Sequence, residues 1–320
     1  MLRPVNVKTD LAPLADLIEL VFASTMDSSG RSALREMRMM ARMSFGLGIV
    51  AQWNDLTVGL SLGQVWLEQG TIVGNVSAYP AKLPKSAGQG WIIANVGVHP
   101  DFQNRGIARQ LMLASMDTIR KRGGQFAILQ VDHDNAPAIH LYRTLGFIEE
   151  RTFTTFRRSP SLRFPPETLE NAPYIRRRRR SEWPQEMALM DRIRPTARGG
   201  VGWLRPIIPD YFRPSLGRVF GDLINMRAMD RFVIDDGSGQ LNAIIWVERA
   251  FGTTTRLTLT VDPAYAGNYD EVLLGSIVRQ LGSSALAIEH PADDEPSKLL
   301  LDRYRFLDQR TVIHMRWNVT

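Results

Sequence analysis

The second half of this 320-residue chain repeats, in the same order, a series of landmarks from the first half. A buried strand that ends in Val-x-Pro occurs at 98–100 and again at 261–263. The closing strand of the first half, at 151–157, has its match at 310–316. A recurring order of landmarks predicts one supersecondary plan used twice. The length, which is generous for one domain, agrees with that interpretation.

The spacing of apolar residues predicts a mixture of helices and strands in each half. Apolar positions that recur every three or four residues indicate helices with one buried face. Short continuous apolar runs indicate buried strands, and glycine in short polar turns indicates hairpins. The predicted elements are helices over 10–23, 30–43, 106–121, 135–145 and 270–281, strands over 3–8, 91–98, 126–131 and 152–158, and hairpins over 65–73 and 232–247. The expected fold class is α/β, a mixed sheet covered by helices.

A proline-rich segment separates the two repeats and contains Pro165-Pro166. Proline in such a cluster ends helices and strands, so the segment is the natural linker. The predicted organisation is a first domain over 1–158, a linker over 159–171 and a second domain over 172–320.

Composition excludes several classes of function. The chain has no cysteine, which removes disulfides, thiolate metal sites and cysteine nucleophiles. No His-x-x-x-His pair occurs, so no metal site is expected. No apolar run approaches the ~20 residues of a membrane helix, and the start has no apolar signal region. We therefore expect a cytoplasmic protein with no membrane partner.

The formal charge of +6 is concentrated in the arginine run 176–180. Such a run is either a solvated edge of a strand or loop, or a patch that binds phosphate. No aromatic residues alternate with the arginines, so nucleic acid is not the expected partner.

The segment 98–109 joins a buried strand to a helix and has the character of an anion-binding loop. A helix N-terminus presents unpaired N–H groups and partial positive charge, which suit a pyrophosphate. Gly106 allows phosphate oxygens close to the backbone, and Ala108 keeps the next position small. Arg105 and Arg109 add positive charge. On these residues alone, an ordinary strand–helix turn is an equal alternative.

A second segment joins this loop to a known family. Gln103-Asn104-Arg105-Gly106-Ile107-Ala108 fits the pattern Arg/Gln-x-x-Gly-x-Gly/Ala, and 135–147 places Asn135 and Tyr142 before Gly-Phe. In this order and in these strand–helix contexts, the two segments resemble motifs A and B of the GNAT superfamily of N-acetyltransferases. The resemblance covers about residues 60–158, and the helices predicted over 10–43 suit the N-terminal part of that family.

The resemblance implies tandem GNAT-like domains, with acetyl-CoA as co-substrate in the cleft where the strand 91–98 parts from the strand 126–131. It also implies that Tyr142 protonates the departing CoA thiolate. The residues implied in acetyl-CoA binding are Val96, Gly97 and Val98 at the thioester, Gln103, Asn104, Arg105, Gly106, Ile107, Ala108 and Arg109 at the pyrophosphate, and Asn135 at the pantetheine.

The chemistry fits these residue types. A phenol with an ordinary pKa of about 10 is neutral at pH 7 and can donate its proton to a thiolate. One departure from the family concerns the general base, because Gln130 stands where the ribosomal-protein alanine acetyltransferases carry a glutamate. Asp132, His133, Asp134 or a water relay remain as alternatives. The missing carboxylate favours an acceptor amine of low pKa.

The second domain is expected to be a decayed copy. Alignment on Val-x-Pro places Tyr269 opposite Gly106 and Glu271 opposite Ala108, where a ring obstructs phosphates and a carboxylate repels them. Leu301 stands opposite Tyr142. Such a domain can wall the acceptor pocket, form a homodimer or stabilise the first half.

Three alternative functions are compatible with these residues and with the resemblance. The first is an N-acetyltransferase that moves the acetyl group of acetyl-CoA directly to a primary amine of a small molecule or peptide. The second is a non-catalytic acetyl-CoA sensor or scaffold. The third is a nucleic-acid-associated acetyltransferase that uses the run 176–180, and it predicts binding that weakens steeply with salt.

Overall fold

The protein, described here from a computed structural model, is a mixed α/β chain. The structure describes residues 1–24, 26, 28–42, 62–83, 87–165, 172–196, 200–202, 205–215, 217, 227–235, 237, 239–250 and 253–319. The strands are β1 Leu2–Pro4, β2 Gln64–Glu68, β3 Thr71–Pro80, β4 Gly90–Val98, β5 Phe126–Asp132, β6 Ile148–Arg158, β7 Arg176–Arg177, β8 Arg227–Asp235, β9 Leu241–Ala250, β10 Thr255–Val261, β11 Leu286–Pro291 and β12 Leu307–Asn318. The helices are α1 Leu11–Phe22, α2 Ser28–Arg42, α3 Ile107–Lys121, α4 Ala136–Thr144, α5 Trp183–Ile193, α6 Pro209–Phe212, α7 Tyr269–Leu281 and α8 Glu295–Arg303.

The chain divides into two compact units. Unit 1 comprises 1–130, 136–148 and 315–320, and unit 2 comprises 131–135 and 149–314. The closing strand of the first half, β6, therefore belongs to unit 2, where it pairs antiparallel with β11. The last residues of the chain belong to unit 1. Within the proposed linker 159–171, residues 166–171 lie outside the described residues.

In unit 1 the strands follow the order β1-β2-β3-β4-β5, and the end of β12 lies next to β5. The first four strands pair antiparallel, whereas β4 and β5 pair in parallel. Helices cover both faces. A Cβ at Gly74 would meet Ile107 and Leu111 of α3, and a Cβ at Gly97 would meet Val21 and Phe22 near the end of α1. The sheet thus lies between α3 and α1.

In unit 2 the strands follow the order β6-β11-β10-β9-β8-β7, beside the first part of β12. Side chains of β9 alternate between two buried clusters, as a strand covered on both faces requires. Ala243 and Ile245 pack with residues of α7 and α8. Ile244 and Trp246 pack with residues of α5 and α6. Unit 2 is therefore also a sheet between two helical layers.

The α/β fold predicted from the periodicity is confirmed, and the predicted elements are present with small shifts of their ends. The helix expected over 106–121 begins at Ile107, and the strand expected over 152–158 begins at Ile148. Of the first predicted strand, over 3–8, only a three-residue strand forms, paired with β2. Its continuation turns away because Asn6 starts a turn whose carbonyl accepts from the N–H of Asp10.

The end of β12 anchors the C-terminus in unit 1. Trp317 is 5% exposed, and its ring centroid lies 6.3 Å from that of Phe147. The guanidinium carbon of Arg120 lies 5.1 Å from the indole ring. The N–H of Val319 donates to the carbonyl of Gln125 at 2.9 Å.

Replacement of Trp317 by alanine should lower the free energy of unfolding by about 3–5 kcal/mol, the usual result of deleting a buried aromatic side chain. Leu307→Ala, on the same strand but 67% exposed, is the matched control and should change it by less than about 0.5 kcal/mol. Urea denaturation measures both variants. Equal effects would contradict the anchoring role.

The buried imidazole of His314, in unit 2, should make the free energy of unfolding depend on pH. It is 3% exposed and stacks on Phe153 with ring centroids 4.7 Å apart. Its Nε2 lies 3.8 Å from a carboxylate oxygen of Glu289. Burial lowers the pKa of His314 to about 4.

Because this pKa lies below the value of about 6.5 in the unfolded chain, the unfolded state takes up its proton first as the pH falls. The free energy of unfolding should therefore decrease between about pH 6.5 and pH 4, by up to about 1.4 kcal/mol per pH unit. His314→Gln should remove this part of the slope in denaturant titrations at a series of pH values. His290 is also buried and has a lowered pKa. Because it is present in the wild-type protein and in the variant, its contribution to the slope cancels in the comparison. Identical slopes in both proteins would refute the assignment.

Candidate functional site

A β-bulge in β4 separates this strand from its neighbours in unit 1. Asn75 of β3 pairs with Gly97, but Ser77 pairs with Ala94, so two residues of β4 oppose one of β3. Asn95, in the bulge, has a φ of +52°. On the other side, β4 pairs with β5 only as far as Ile92. Beyond Ile92 the β5-facing edge of β4 is open as far as the described residues show, since no strand among them pairs with it there.

The open edge carries main-chain groups of the residues predicted from the sequence. The N–H of His99 donates to the carbonyl of Val73 on the β3 side, at 2.8 Å. Since successive residues of a strand direct their N–H groups to opposite edges, the groups of Val98 and Val96 face the open edge. Those of Gly97 face β3. The edge therefore offers hydrogen-bond groups from Val96 and Val98.

The loop after β4 is held in a fixed shape by its own contacts. The side chain of Gln103 donates to the carbonyl of Val98 at 3.2 Å. The guanidinium of Arg105 donates to the carbonyl of Asp101 at 2.9 Å and lies over the ring of Phe102. Asn104 has a φ of +60°. Contacts of its own side chains therefore fix the conformation of the loop. Its exposed surface remains accessible to a ligand.

Gly106 is the N-cap residue of α3, with a φ of +74°. No atom lies within 4 Å of a Cβ built there, so the space above the loop is open. No side chain caps the helix, and its first turn contains no acidic residue. The N–H groups of Ile107, Ala108 and Arg109 therefore point into this space with no acceptor among the described residues. Together with the helix dipole, they form a site that favours an anion.

Tyr142 lies on α4, which is tied to the start of α3. Arg109 donates to the hydroxyl of Thr144 at 3.1 Å, so the first turn of α3 and the last turn of α4 are neighbours. Tyr142 is 6% exposed, and burial raises the pKa of its phenol above the ordinary value. Among the described residues its hydroxyl has no hydrogen-bond partner. The phenol is thus protonated at neutral pH and free to donate.

The residues around the end of β5 belong to unit 2. Asn135 is exposed and directly precedes α4, and its N–H donates to the carbonyl of Asp132 at 3.0 Å. Of the candidate bases, Asp132 is paired with Arg310 at 2.5 Å. His133 and Asp134 are exposed. Of the three, Asp132 is therefore the one that is already engaged in an ion pair.

Unit 2 repeats the parting of strands but not the bulge. β10 pairs in parallel with β11 only from Thr255 to Leu257, as β4 does with β5. Its pairing with β9 runs without a register shift from Arg256 to Val261. Because β10 keeps regular pairing with β9, it has no counterpart of the bulge at Asn95.

The gap beside β10 is filled by a buried arginine that follows α5. Arg194 is 1% exposed and donates to the carbonyl of Leu259 at 2.5 Å and to Nδ1 of His290 at 3.0 Å. Burial lowers the pKa of its guanidinium to about 10. A side chain of the protein itself therefore takes the place between β10 and β11 that is open between β4 and β5.

The anion site at the start of α7 is also filled from within. Asp270 is 1% exposed, and its carboxylate accepts from the N–H of Glu271 at 2.9 Å. The N–H of Gly267 also donates to it, although burial is the larger effect and raises the pKa of Asp270. The helix N-terminus of unit 2 is thus neutralised by its own carboxylate.

The expected correspondence of Tyr269 with Gly106 is one residue off. The loop of the first half spans 99–106 and that of the second half spans 262–268, so the N-cap residue there is Asn268. Asp270 therefore stands where Ala108 stands. Glu271 pairs with Arg303 at 2.5 Å.

Leu301 does correspond to Tyr142. In each half the carbonyl of this residue accepts from the N–H of a phenylalanine five positions later, Phe306 or Phe147. The second half thus has no phenol at this position.

The arginine run is largely used in ion pairs of unit 2. Arg176 pairs with Glu182 and Asp235, and Arg178 pairs with Glu186. Of the two alternatives for this run, the solvated edge does not describe these two arginines, whose side chains are 15% and 6% exposed. The two glutamates that follow the run, Glu182 and Glu186, are the sequence signal that could have identified these pairs.

Two kinds of feature are absent from the described residues. These residues contain no cluster of three or more His, Asp or Glu side chains placed to hold a metal ion. They also contain no helix that is both long enough and apolar enough to cross a membrane.

Residues 34–147 match the Acetyltransferase (GNAT) family. A segment of 52 residues is 48% identical to mycothiol acetyltransferase of Thermobifida fusca and covers 16% of this chain and 16% of that enzyme. The chain thus spans about a sixth of the length of the first curated relatives that it matches.

Two solved structures are similar over nearly the whole chain. A GCN5-related N-acetyltransferase from Sphaerobacter thermophilus has a TM-score of 0.62 at 13% identity and covers 99% of this chain and 95% of that chain. A tandem GNAT protein from the clavulanic acid biosynthesis pathway has a TM-score of 0.54 at 14% identity and covers 99% and 98%. At such identities the likeness concerns the fold, which is that of tandem GNAT proteins.

Proposed function

We propose that the GNAT acetyltransferase domain carried by residues 34–147 transfers the acetyl group of acetyl-CoA directly to a primary amine. The observation that carries this proposal is the open edge of β4 beside an uncapped helix N-terminus. The open edge suits a thioester arm, and the helix N-terminus suits the pyrophosphate of the same ligand. Tyr142 lies on the helix that contacts this N-terminus.

The residues of unit 1 fit acetyl-CoA as the co-substrate. Backbone groups of Val96 and Val98 would hold the thioester and the start of the pantetheine. The N–H groups of 106–109 would hold the pyrophosphate, with further positive charge from Arg105 and Arg109. We retain Gln103 and Asn104 as the residues that shape this loop and Asn135 as a contact of the pantetheine arm.

The proposed reaction is a direct attack without a covalent enzyme intermediate. The amine nitrogen forms a bond to the thioester carbon, and the carbonyl electrons move to oxygen, where a β4 N–H donates to the developing charge. The carbon–sulfur bond then breaks, and the CoA thiolate takes the proton of Tyr142. The amine loses its extra proton to water or to one of the exposed candidates, His133 or Asp134. The phenol regains its proton from solvent.

We infer an acceptor whose amine loses its proton readily near pH 7, since the only carboxylate on β4 and β5, that of Asp132, is already paired with Arg310. An α-amine, with a pKa of about 8, loses its proton more readily than a lysine side chain, with a pKa of about 10.4. A small molecule or a peptide N-terminus meets this condition.

The segment 172–320 is proposed to be a GNAT-like domain that no longer binds CoA, and the segment 1–158 the acetyltransferase domain. Arg194 and Asp270 support this proposal, because each occupies a place that the ligand would need. The alternative function, an acetyl-CoA sensor, is favoured by one observation, the ion pair that engages Asp132.

Gly106→Asp should weaken acetyl-CoA binding at least tenfold, because a carboxylate enters the space proposed for the pyrophosphate. Gly267→Asp is the matched control in unit 2, with a φ of +85° and equally open surroundings. Both variants carry the same backbone strain, of about 1 kcal/mol. Calorimetric titration should show one site per chain, lost only in Gly106→Asp. Loss in both variants would mean that strain, and not charge, is responsible.

Tyr142→Phe should lower turnover about 10²- to 10⁴-fold with little change in the Kd for acetyl-CoA, because only the proton donor is lost. Tyr304→Phe, a buried tyrosine of unit 2, is the control and should keep full turnover. Release of CoA thiol in a screen of amines measures turnover, and the absence of cysteine removes background from the protein. A sensor would bind acetyl-CoA and turn over no amine in the wild-type form.

A further inference from the structure

Asn75 carries a buried amide that the reaction described above does not use. The residue is 1% exposed, yet neither Nδ2 nor Oδ1 has a hydrogen-bond partner among the described residues. Buried polar groups are nearly always paired, because an unpaired one has lost its hydrogen bonds to water without replacement. Both polar groups of this amide are therefore available to a partner from outside the chain.

The amide lies at the bulge of β4. Asn75 is the β3 partner of Gly97, which stands between the two residues proposed to hold the thioester. Its Oδ1 is 3.4 Å from the position of a Cβ built on Gly97, on the face of the sheet covered by α1. A Cβ at position 97 would therefore be in van der Waals contact with the amide. The unpaired amide of β3 is thus next to Gly97 of β4, and the residues on either side of Gly97 direct their N–H groups to the opposite edge of that strand.

The second half provides an internal comparison. The N–H after β4, of His99, donates to Val73, and the N–H after β10, of Asp262, donates to Asn242. Counting two residues onward along each strand, the counterpart of Asn75 is Ile244, which is 0% exposed. The same position of the fold thus accepts an apolar side chain in unit 2, whose cleft is filled by the protein itself. At this one position, therefore, the side chain is polar in the half with the open edge and apolar in the other, although unit 2 has an unpaired amide of its own at Asn242.

We propose that Asn75 is a second hydrogen-bond donor to the acetyl carbonyl oxygen of acetyl-CoA. This inference rests on the proposed function. The side-chain Nδ2–H and a backbone N–H of β4 together receive the carbonyl oxygen. As the amine nitrogen bonds to the carbonyl carbon, the π electron pair moves onto that oxygen, and both donors bind it more strongly. When the pair returns, the carbon–sulfur bond breaks and the thiolate takes the proton of Tyr142.

The test compares the binding of acetyl-CoA with that of CoA, which lacks the acetyl carbonyl. Asn75→Leu is nearly isosteric, and Asn75→Ile introduces the residue of the second half. Calorimetric titration gives the Kd of each ligand, and thermal unfolding gives Tm. Asn242→Val, which removes a buried amide of unit 2 whose Nδ2 also has no partner, is the matched control.

The wild-type protein should bind acetyl-CoA more tightly than CoA, and both Asn75 variants should lose about fivefold of that preference while their Kd for CoA is unchanged. Turnover should fall about 10²-fold. Tm should rise by about 2–4 °C, because an unpaired buried amide has been removed. In Asn242→Val only Tm should change.

An unchanged ratio of the two Kd values together with wild-type turnover in both Asn75 variants would overturn the inference. A fall in Tm with an unchanged ratio would assign Asn75 a structural role and would also overturn it. If the wild-type protein binds neither acetyl-CoA nor CoA, the proposed function itself fails, and this inference fails with it.

Discussion

The parting of β4 from β5 after Ile92 is the constraint on which the rest of unit 1 depends. Parallel strands ordinarily satisfy each other's main-chain groups, so strands that separate leave hydrogen-bond donors and acceptors without partners inside the sheet. The bulge at Asn95 turns this edge further from regular pairing. The uncapped start of α3 and the unpaired amide of Asn75 lie close to the same edge in sequence and pairing. Unpaired hydrogen-bonding groups thus occur at three places in one region: the edge of β4, the N-terminus of α3 and the amide of Asn75. Such a region is suited to a ligand.

Unit 2 shows how the same fold satisfies those groups without a ligand. The gap beside β10 receives the guanidinium of Arg194, and the N-terminus of α7 receives the carboxylate of Asp270. Isoleucine replaces the buried amide, and β10 has no bulge. In unit 2 a side chain of the chain itself thus occupies each place that is proposed for the ligand in unit 1.

Burial has opposite consequences for the ionisable groups of the two units. In unit 1 it raises the pKa of the Tyr142 phenol, so this group, already protonated at neutral pH, becomes a weaker acid. In unit 2 it lowers the pKa of Arg194 and His314 and raises that of Asp270, so burial disfavours the charged form of all three groups. The ion pairs of Arg176 and Arg178 extend this pattern. Much of the formal positive charge in this region is therefore compensated within the fold.

The sequence by itself determined the helices and strands, the repeat and the loop before α3, because these depend on local periodicity, glycine and the order of nearby residues. It also indicated Tyr142 and Leu301 as counterparts. Only the tertiary structure decided that β6 belongs to unit 2 and the end of β12 to unit 1, since strand pairing joins residues far apart in the chain. The same holds for Arg194, Asp270 and Asn75. Their roles depend on which groups surround them after folding, and a hydrogen-bond partner that is present or missing in space leaves no local pattern in the sequence.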